Sequence, residues 1–232
     1  GWYRLDFEAP SFEMGKKATL IFDGAMSHAR VYINGKEAGY WPYGYNSFYV
    51  DATPYLKAGQ PNELAVRLEN YEESSRWYPG AGIYRNVHLV VTEGAHVPTW
   101  GTQVTTPVVK EKYAKVHLET KWEMPAGKKI TDYRIVTEIL NPEGKMVSSD
   151  ERPGDVLEEG MFVQDFVVHT PALWSPESPM LYKAVSKIYE GNELLDEYTT
   201  RFGIRTIEIV PDKGFFLNGK LTKFQGVCNH HD

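Results

Sequence analysis

The sequence predicts an all-β protein built of successive sandwiches, and three observations carry that prediction. Helical periodicity is almost absent. Short runs alternate apolar and polar residues instead, which is the two-residue period of a strand with one buried face. Gly, Pro, Asn and Asp bound these runs, and Asn-Gly recurs at Asn34-Gly35 and Asn218-Gly219. Both residues of such a pair accept positive φ, as a two-residue type I′ hairpin demands.

Residues 18–22 form the first such run. Arg30-Val31-Tyr32-Ile33 leads into Asn34-Gly35 and predicts one arm of a hairpin. The segment 51–59, Asp-Ala-Thr-Pro-Tyr-Leu-Lys-Ala-Gly, reads as a single helical turn stopped at Gly59, a connector rather than a core helix. Residues 63–69 alternate cleanly and put Leu64, Val66 and Leu68 on one face. Residues 87–91 close a first block. A polar, Pro-containing joint at 94–98 precedes a second block with strands at 115–123, 132–140, 162–169 and 181–189. Between two of these, Asn141-Pro142-Glu143-Gly144 has the chemistry of a type I turn. About 110 residues with a turn every ten or so suit an immunoglobulin-like sandwich, though without its paired cysteines. From Ile207 a third segment carries the Asn218-Gly219 hairpin. A strand over 222–227 then delivers Asn229-His230-His231-Asp232. Some 25 residues cannot bury a core alone, so this segment must dock on the second sandwich or stay mobile. A strand that delivers His and Asp at its end, with no partners for either, reads as the first strand of a missing catalytic domain.

Composition narrows the function classes. Of 232 residues, 42% are hydrophobic and 24% charged, the balance of a soluble globular protein. A formal net charge of −6 with no Lys/Arg block excludes a general nucleic-acid binder. No apolar run reaches the roughly 20 residues of a membrane helix, so neither nucleic acid nor membrane is an expected partner. The single cysteine, Cys228, excludes an intramolecular disulfide and a cysteine-based zinc site. Composition leaves cytoplasmic, periplasmic and secreted settings open. The chain starts abruptly in strand-like residues, so the lack of a leader decides nothing.

Three stretches, in order, resemble glycoside hydrolase family 2, the family of the large β-galactosidases, β-glucuronidases and β-mannosidases. The first is Phe22-Asp23-Gly24-Ala25 with Val31-Tyr32-Ile33-Asn34-Gly35-Lys36 and Phe48-Tyr49-Val50-Asp51. The second runs from Arg76-Trp77-Tyr78-Pro79 through Gly82-Ile83-Tyr84-Arg85. The third joins Leu173-Trp174-Ser175-Pro176, Arg201-Phe202-Gly203-Ile204-Arg205 and the terminal Asn218 to Asp232. The wording around Arg76 is most similar to β-galactosidases. The resemblance implies a jelly-roll "sugar-binding" domain over 1–94 with its first strands missing. An immunoglobulin-like β-sandwich follows over 95–206. Residues 207–232 are then the entry hairpin and first strand of a truncated (β/α)₈ barrel.

That resemblance implies a retaining exo-glycosidase whose two catalytic glutamates lie on later barrel strands, beyond Asp232. No residue of this chain is expected to be catalytic. Four are implied to touch substrate. His230 matches the first-strand histidine that contacts sugar hydroxyls, and Asp232 shares its face by strand parity. Arg76 and Trp77 would wall the pocket from a jelly-roll loop. Some β-galactosidases carry an aspartate at the position of Arg76, so its cation-binding role does not transfer. Opposite parity of His230 and His231 argues against a metal site built from both. No metal or cofactor is expected in this segment, and a divalent or monovalent cation belongs, if anywhere, to the barrel. The partner is a β-linked oligosaccharide, with the full-length protein expected as a homo-oligomer. Glu72-Glu73 and Glu158-Glu159 read as solvated loops. Tyr40-Trp41-Pro42-Tyr43-Gly44-Tyr45 reads as packing rather than a sugar platform. Arg85 should fix its loop through backbone carbonyls, and Arg205 should tie the second sandwich to the barrel entry. The rival reading is a stand-alone carbohydrate-binding pair of sandwiches. β-Glucuronidase or β-mannosidase is the alternative within the family.

Overall fold

A computed structural model describes residues 1–71, 80–157 and 160–228. They form two compact units, Gly1–Gly94 with the terminal residues from Val227, and Ala95–Gly226.

The first unit carries β1 (Trp2–Glu8), β2 (Lys17–Phe22), β3 (Ala25–Met26), β4 (Ala29–Ile33), β5 (Lys36–Trp41), β6 (Phe48–Asp51), β7 (Pro61–Arg67), β8 (Gly82–Ile83) and β9 (Val87–Thr92). One sheet runs β1-β7-β4-β5 and a second β6-β2-β9, all antiparallel, with β3-β8 a short pair. Alternation decides which side chains meet. Ala18, Leu20 and Phe22 of β2 and Phe48 and Val50 of β6 share a core with Val31 and Ile33 of β4 and Leu64 and Val66 of β7. The rings of Phe22 and Phe48 stack with centroids 4.8 Å apart. Leu64, Val66 and Leu68 are buried together, as the alternation of 63–69 requires. The β4–β5 hairpin turns on Asn34 (φ 50°) and Gly35 (φ 78°), the positive pair expected of Asn-Gly. The 51–59 connector makes one turn, closed by the Leu56 N–H on the Ala52 carbonyl at 3.1 Å.

The second unit carries β10 (Thr102–Val109), β11 (Tyr113–Lys121), β12 (Tyr133–Leu140), β13 (Met146–Pro153), β14 (Met161–His169), β15 (Tyr182–Glu190), β16 (Glu193–Phe202), β17 (Ile207–Val210), β18 (Gly214–Leu217) and β19 (Lys220–Leu221). Sheets β10-β11-β14 and β13-β12-β15-β16 face one another. Ala114, Val116 and Leu118 of β11 and Phe166 and Val168 of β14 pack on Ile139, Tyr182 and Ala184 from the other sheet. Gly144 N–H bonds the Asn141 carbonyl at 2.9 Å, closing the expected turn. The β17-β18-β19 meander turns on Asn218 (φ 51°) and Gly219 (φ 75°).

One expectation fails. Residues 222–228 form no strand. A strand exists through the backbone hydrogen bonds of its neighbours, and among the described residues nothing pairs with this segment beyond Thr222 N–H on the Phe215 carbonyl. Phe224 and Val227 stand 78% and 86% exposed, so alternation alone was not enough to build a strand there.

Candidate functional site

All four residues predicted to touch substrate, Arg76, Trp77, His230 and Asp232, lie outside the described residues, as do Glu72, Glu73, Glu158 and Glu159. What the structure describes is how the flanks of those positions are held.

The flanks of residues 72–79 are both fastened to one short segment, residues 23–28. On the downstream side, β8 pairs with β3, Ala25 opposite Ile83 and Met26 opposite Gly82. Tyr84 Oη donates to the Gly44 carbonyl at 2.8 Å. Arg85 lays its guanidinium over the Tyr84 ring and reaches the Asp23 carbonyl at 3.4 Å, so it does fix the loop through a backbone carbonyl. On the upstream side, Glu69 N–H bonds the Ser27 carbonyl at 2.9 Å, and Ser27 Oγ donates to the Glu69 carbonyl at 2.8 Å. The Glu69 carboxylate pairs with Arg67 and accepts from Tyr71 Oη at 3.1 Å. That hydrogen bond to an anion raises the Tyr71 phenol above its ordinary range. Tyr71 meets the His28 ring edge-on at 4.5 Å, His28 Nδ1 and Tyr40 Oη share a 2.7 Å hydrogen bond, and Arg30 sits over Tyr40.

Ser27, His28 and Tyr71 belong to no periodic run, so sequence reasoning missed them. The only available signal was Asp23-Gly24-Ala25 within the family wording. In the Tyr40–Tyr45 stretch, Trp41 stacks on Phe48 at 5.9 Å, as packing predicts. Tyr40, Tyr43 and Tyr45 instead stand at the surface of this unit.

In the second unit the two motifs that precede the terminal segment meet. Trp174 N–H bonds the Ile204 carbonyl at 2.9 Å, and the Arg205 guanidinium lies 5.0 Å from the centre of the Trp174 indole. A Cβ on Gly203 would fall 2.8 Å from Trp174 Cβ, so only glycine lets the two motifs approach. Asn218 then ties the hairpin on. Its Oδ1 accepts from Thr206 N–H and its Nδ2 donates to the Trp174 carbonyl, both at 3.0 Å. Arg205 and Asn218 together fix the root of the segment that leads to His230 and Asp232.

Chemically, the described residues offer scaffolding. No group of three or more His, Cys, Asp or Glu among them is placed to hold a metal ion. A cleft of about 390 Å³ in the first unit is walled almost wholly by apolar side chains. That lining suits no sugar, whose hydroxyls would go unpaired.

Sequence comparison assigns the two units. Residues 1–93 match the profile described as "Glycosyl hydrolases family 2, sugar binding domain", and residues 95–205 match "Glycosyl hydrolases family 2". The chain is 44% identical, over its whole length, to the β-galactosidase BoGH2A of Bacteroides ovatus, of which it covers 28%. It is 37% identical over 99% of its length to a putative β-glucuronidase of Formosa agariphila, of which it covers 22%. The structure of a glycosyl hydrolase family 2 member from Bacteroides cellulosilyticus superposes with a TM-score of 0.89 at 36% identity, over the whole of this chain and 30% of that one. The chain thus spans between a fifth and a third of these relatives. Two matched segments of one family, in sequence and together spanning nearly all of residues 1–205, place this chain in glycoside hydrolase family 2.

Proposed function

We propose that these residues are the non-catalytic front portion of a retaining exo-glycosidase that hydrolyses terminal β-galactosides. The observation that carries the reading is the pair of family matches, in order, on a chain spanning only 28% of its 44%-identical β-galactosidase relative. The complete enzyme would use two barrel glutamates, one attacking the anomeric carbon and one serving as acid and then base through a covalent glycosyl-enzyme. The residues of this chain bind and orient. His230 and Asp232 would contact sugar hydroxyls from the first barrel strand, with Arg76 and Trp77 walling the pocket from the first unit. Self-association of the complete polypeptide and a divalent or monovalent cation in its barrel belong to the same proposal. The alternative sugar is a β-glucuronide, favoured by the 37%-identical relative's name.

The test begins with the reading frame beyond Asp232 and continues with the complete polypeptide on 4-nitrophenyl β-galactoside, β-glucuronide and β-mannoside. Turnover of the galactoside, with the β-anomer formed first by proton NMR, is the expected result. A preference of about tenfold or more for the glucuronide would replace the galactosidase reading. No turnover of any substrate, or a stop codon after Asp232, would leave a sandwich-pair binding module.

A further inference from the structure

The loop after β5 turns tyrosines outward although the fold holds its backbone firmly. Residues 42–47 are fastened to residues 23–28 at both ends. His28 N–H donates to the Pro42 carbonyl and Ser47 Oγ to the Asp23 carbonyl, both at 3.0 Å. Between these anchors the Gly44 carbonyl accepts from Tyr84 Oη at 2.8 Å. Gly44 itself lies so close to Met26 that a Cβ there would fall 2.2 Å from the thioether sulfur. On this fixed loop Tyr43 is 53% and Tyr45 37% exposed. Their ring centroids lie 5.5 Å apart at an interplanar angle of 61°, so each ring holds the other's orientation. Asn46 stands exposed beside them. Large rings at the surface of a fastened loop forgo burial with no gain in chain freedom, and clustered surface of this kind marks a binding place. The same anchors serve the site described above. Met26 pairs with Gly82, Tyr84 follows two residues on, and together they hold the downstream flank of residues 72–79.

We propose that Tyr43 and Tyr45 form a platform for the leaving-group sugar, the unit on the reducing side of the bond that is cut. This rests on the reading above that the complete polypeptide is a β-glycosidase, and adds to it the residues that select what the terminal sugar is attached to. The chemistry commits the platform to carbohydrate. A pyranose has a C–H face that packs on a phenol ring, and a rim of hydroxyls that pairs with the Tyr O–H groups and the Asn46 amide. A polypeptide packed there would have to supply a partner for each of those polar groups or leave it stranded. Position assigns the platform to the leaving-group side. An exo-acting pocket encloses the terminal sugar, so rings that stay at the surface beside it meet the sugar that departs.

The test compares kcat/KM of the complete polypeptide on lactose and on methyl β-galactoside. Both release an alcohol, so the bond broken is alike and only the contact with a leaving sugar differs. Tyr43→Ala should lower kcat/KM for lactose at least about fivefold and for methyl β-galactoside less than about twofold. Tyr43→Phe keeps the ring and should stay within about twofold of the native protein on both. Equal losses on the two substrates overturn the proposal and make the rings a packing surface for the rest of the polypeptide. Native lactose turnover in the Tyr43→Ala/Tyr45→Ala double variant overturns it as well. If glucuronides are the preferred substrates, the matching pair of glucuronides carries the same comparison. If no glycoside is turned over, the enzyme reading falls, and calorimetry of the complete polypeptide with lactose decides the platform separately. Binding that Tyr43→Ala abolishes and Tyr43→Phe retains upholds it, and no binding overturns it.

Discussion

Asn62 shows how much one buried polar side chain can organise. It is 3% exposed, and every hydrogen-bonding group of its amide is used. Oδ1 accepts from Asn34 Nδ2 and from Lys57 N–H, both at 2.8 Å, while Nδ2 donates to the Lys57 carbonyl at 2.9 Å and the Gln60 carbonyl at 2.7 Å. It thereby fastens the 51–59 connector to the hairpin turn of Asn34. Asn62→Ala leaves several buried groups unpaired and should cost about 2–3 kcal/mol in urea unfolding. Asn62→Asp keeps the size but replaces a donor by an anion facing two carbonyls, so it should cost at least as much; a mild effect would show that water already serves this site. His117 makes a prediction in pH. Its Nδ1 lies 2.8 Å from Asp165 and its Nε2 3.4 Å from Glu119, and chiefly the Asp165 hydrogen bond raises its pKa. A raised folded pKa adds stability that is full below the unfolded value, near 6.5, and is lost as pH climbs through the folded value. The pair is about one-third exposed on the histidine side, so the gain stays within ~1 kcal/mol. The Tm gap between the native protein and His117→Gln should be open near pH ~5.5 and close by about pH 8.5.

Turns were the elements most legible in the sequence, because the signal is local. Asn34-Gly35, Asn218-Gly219 and Asn141 to Gly144 each specify their own backbone, and β2, β4, β7, β11, β12, β14 and β15 follow from alternation enforced by burial. β13 and β16 escaped because their residues are mostly polar and half-exposed and show no regular buried face to impose a period, unlike β14, which also lies at an edge. The 222–227 run was misread because its composition suited a strand while, among the described residues, nothing pairs with it beyond Thr222. The second role of Asn218 was illegible as well, since its partner Trp174 lies 44 residues away. That role gives an element-scale prediction. Asn218→Gly keeps the positive φ but removes both bonds, so exchange should quicken across β17–β19 while β11 and β14 keep their protection. Gly203→Ala drives a Cβ into Trp174, and overpacking of this kind costs about 1–3 kcal/mol. Wild-type thermal stability for Gly203→Ala would show that Trp174 can swing aside, and that its contact with Arg205 does not fix the motif.

At the scale of the whole molecule, the residues proposed to touch the terminal sugar come from two distant stretches of sequence, 76–77 and 230–232, and only the family resemblance singles them out. Alternation and turn chemistry report on folding, and neither distinguishes a histidine that meets substrate from one that meets water. A quantitative consequence follows for residues 1–232 taken alone. Hydrogen bonds exchanged with water net about 1 kcal/mol each, so contacts from His230, Asp232, Arg76 and Trp77 could return some 4 kcal/mol if all formed at once. Association costs at least about 4 kcal/mol before any residue is ordered, and millimolar binding needs a net −4.1 kcal/mol or so. The balance is unfavourable, so titration calorimetry of residues 1–232 with galactose at ~10 mM should show no binding, and aryl β-galactosides should not turn over. Saturable binding at millimolar galactose or below would mean that a sugar pocket is complete within these residues, and the binding-module reading would then displace the glycosidase front portion.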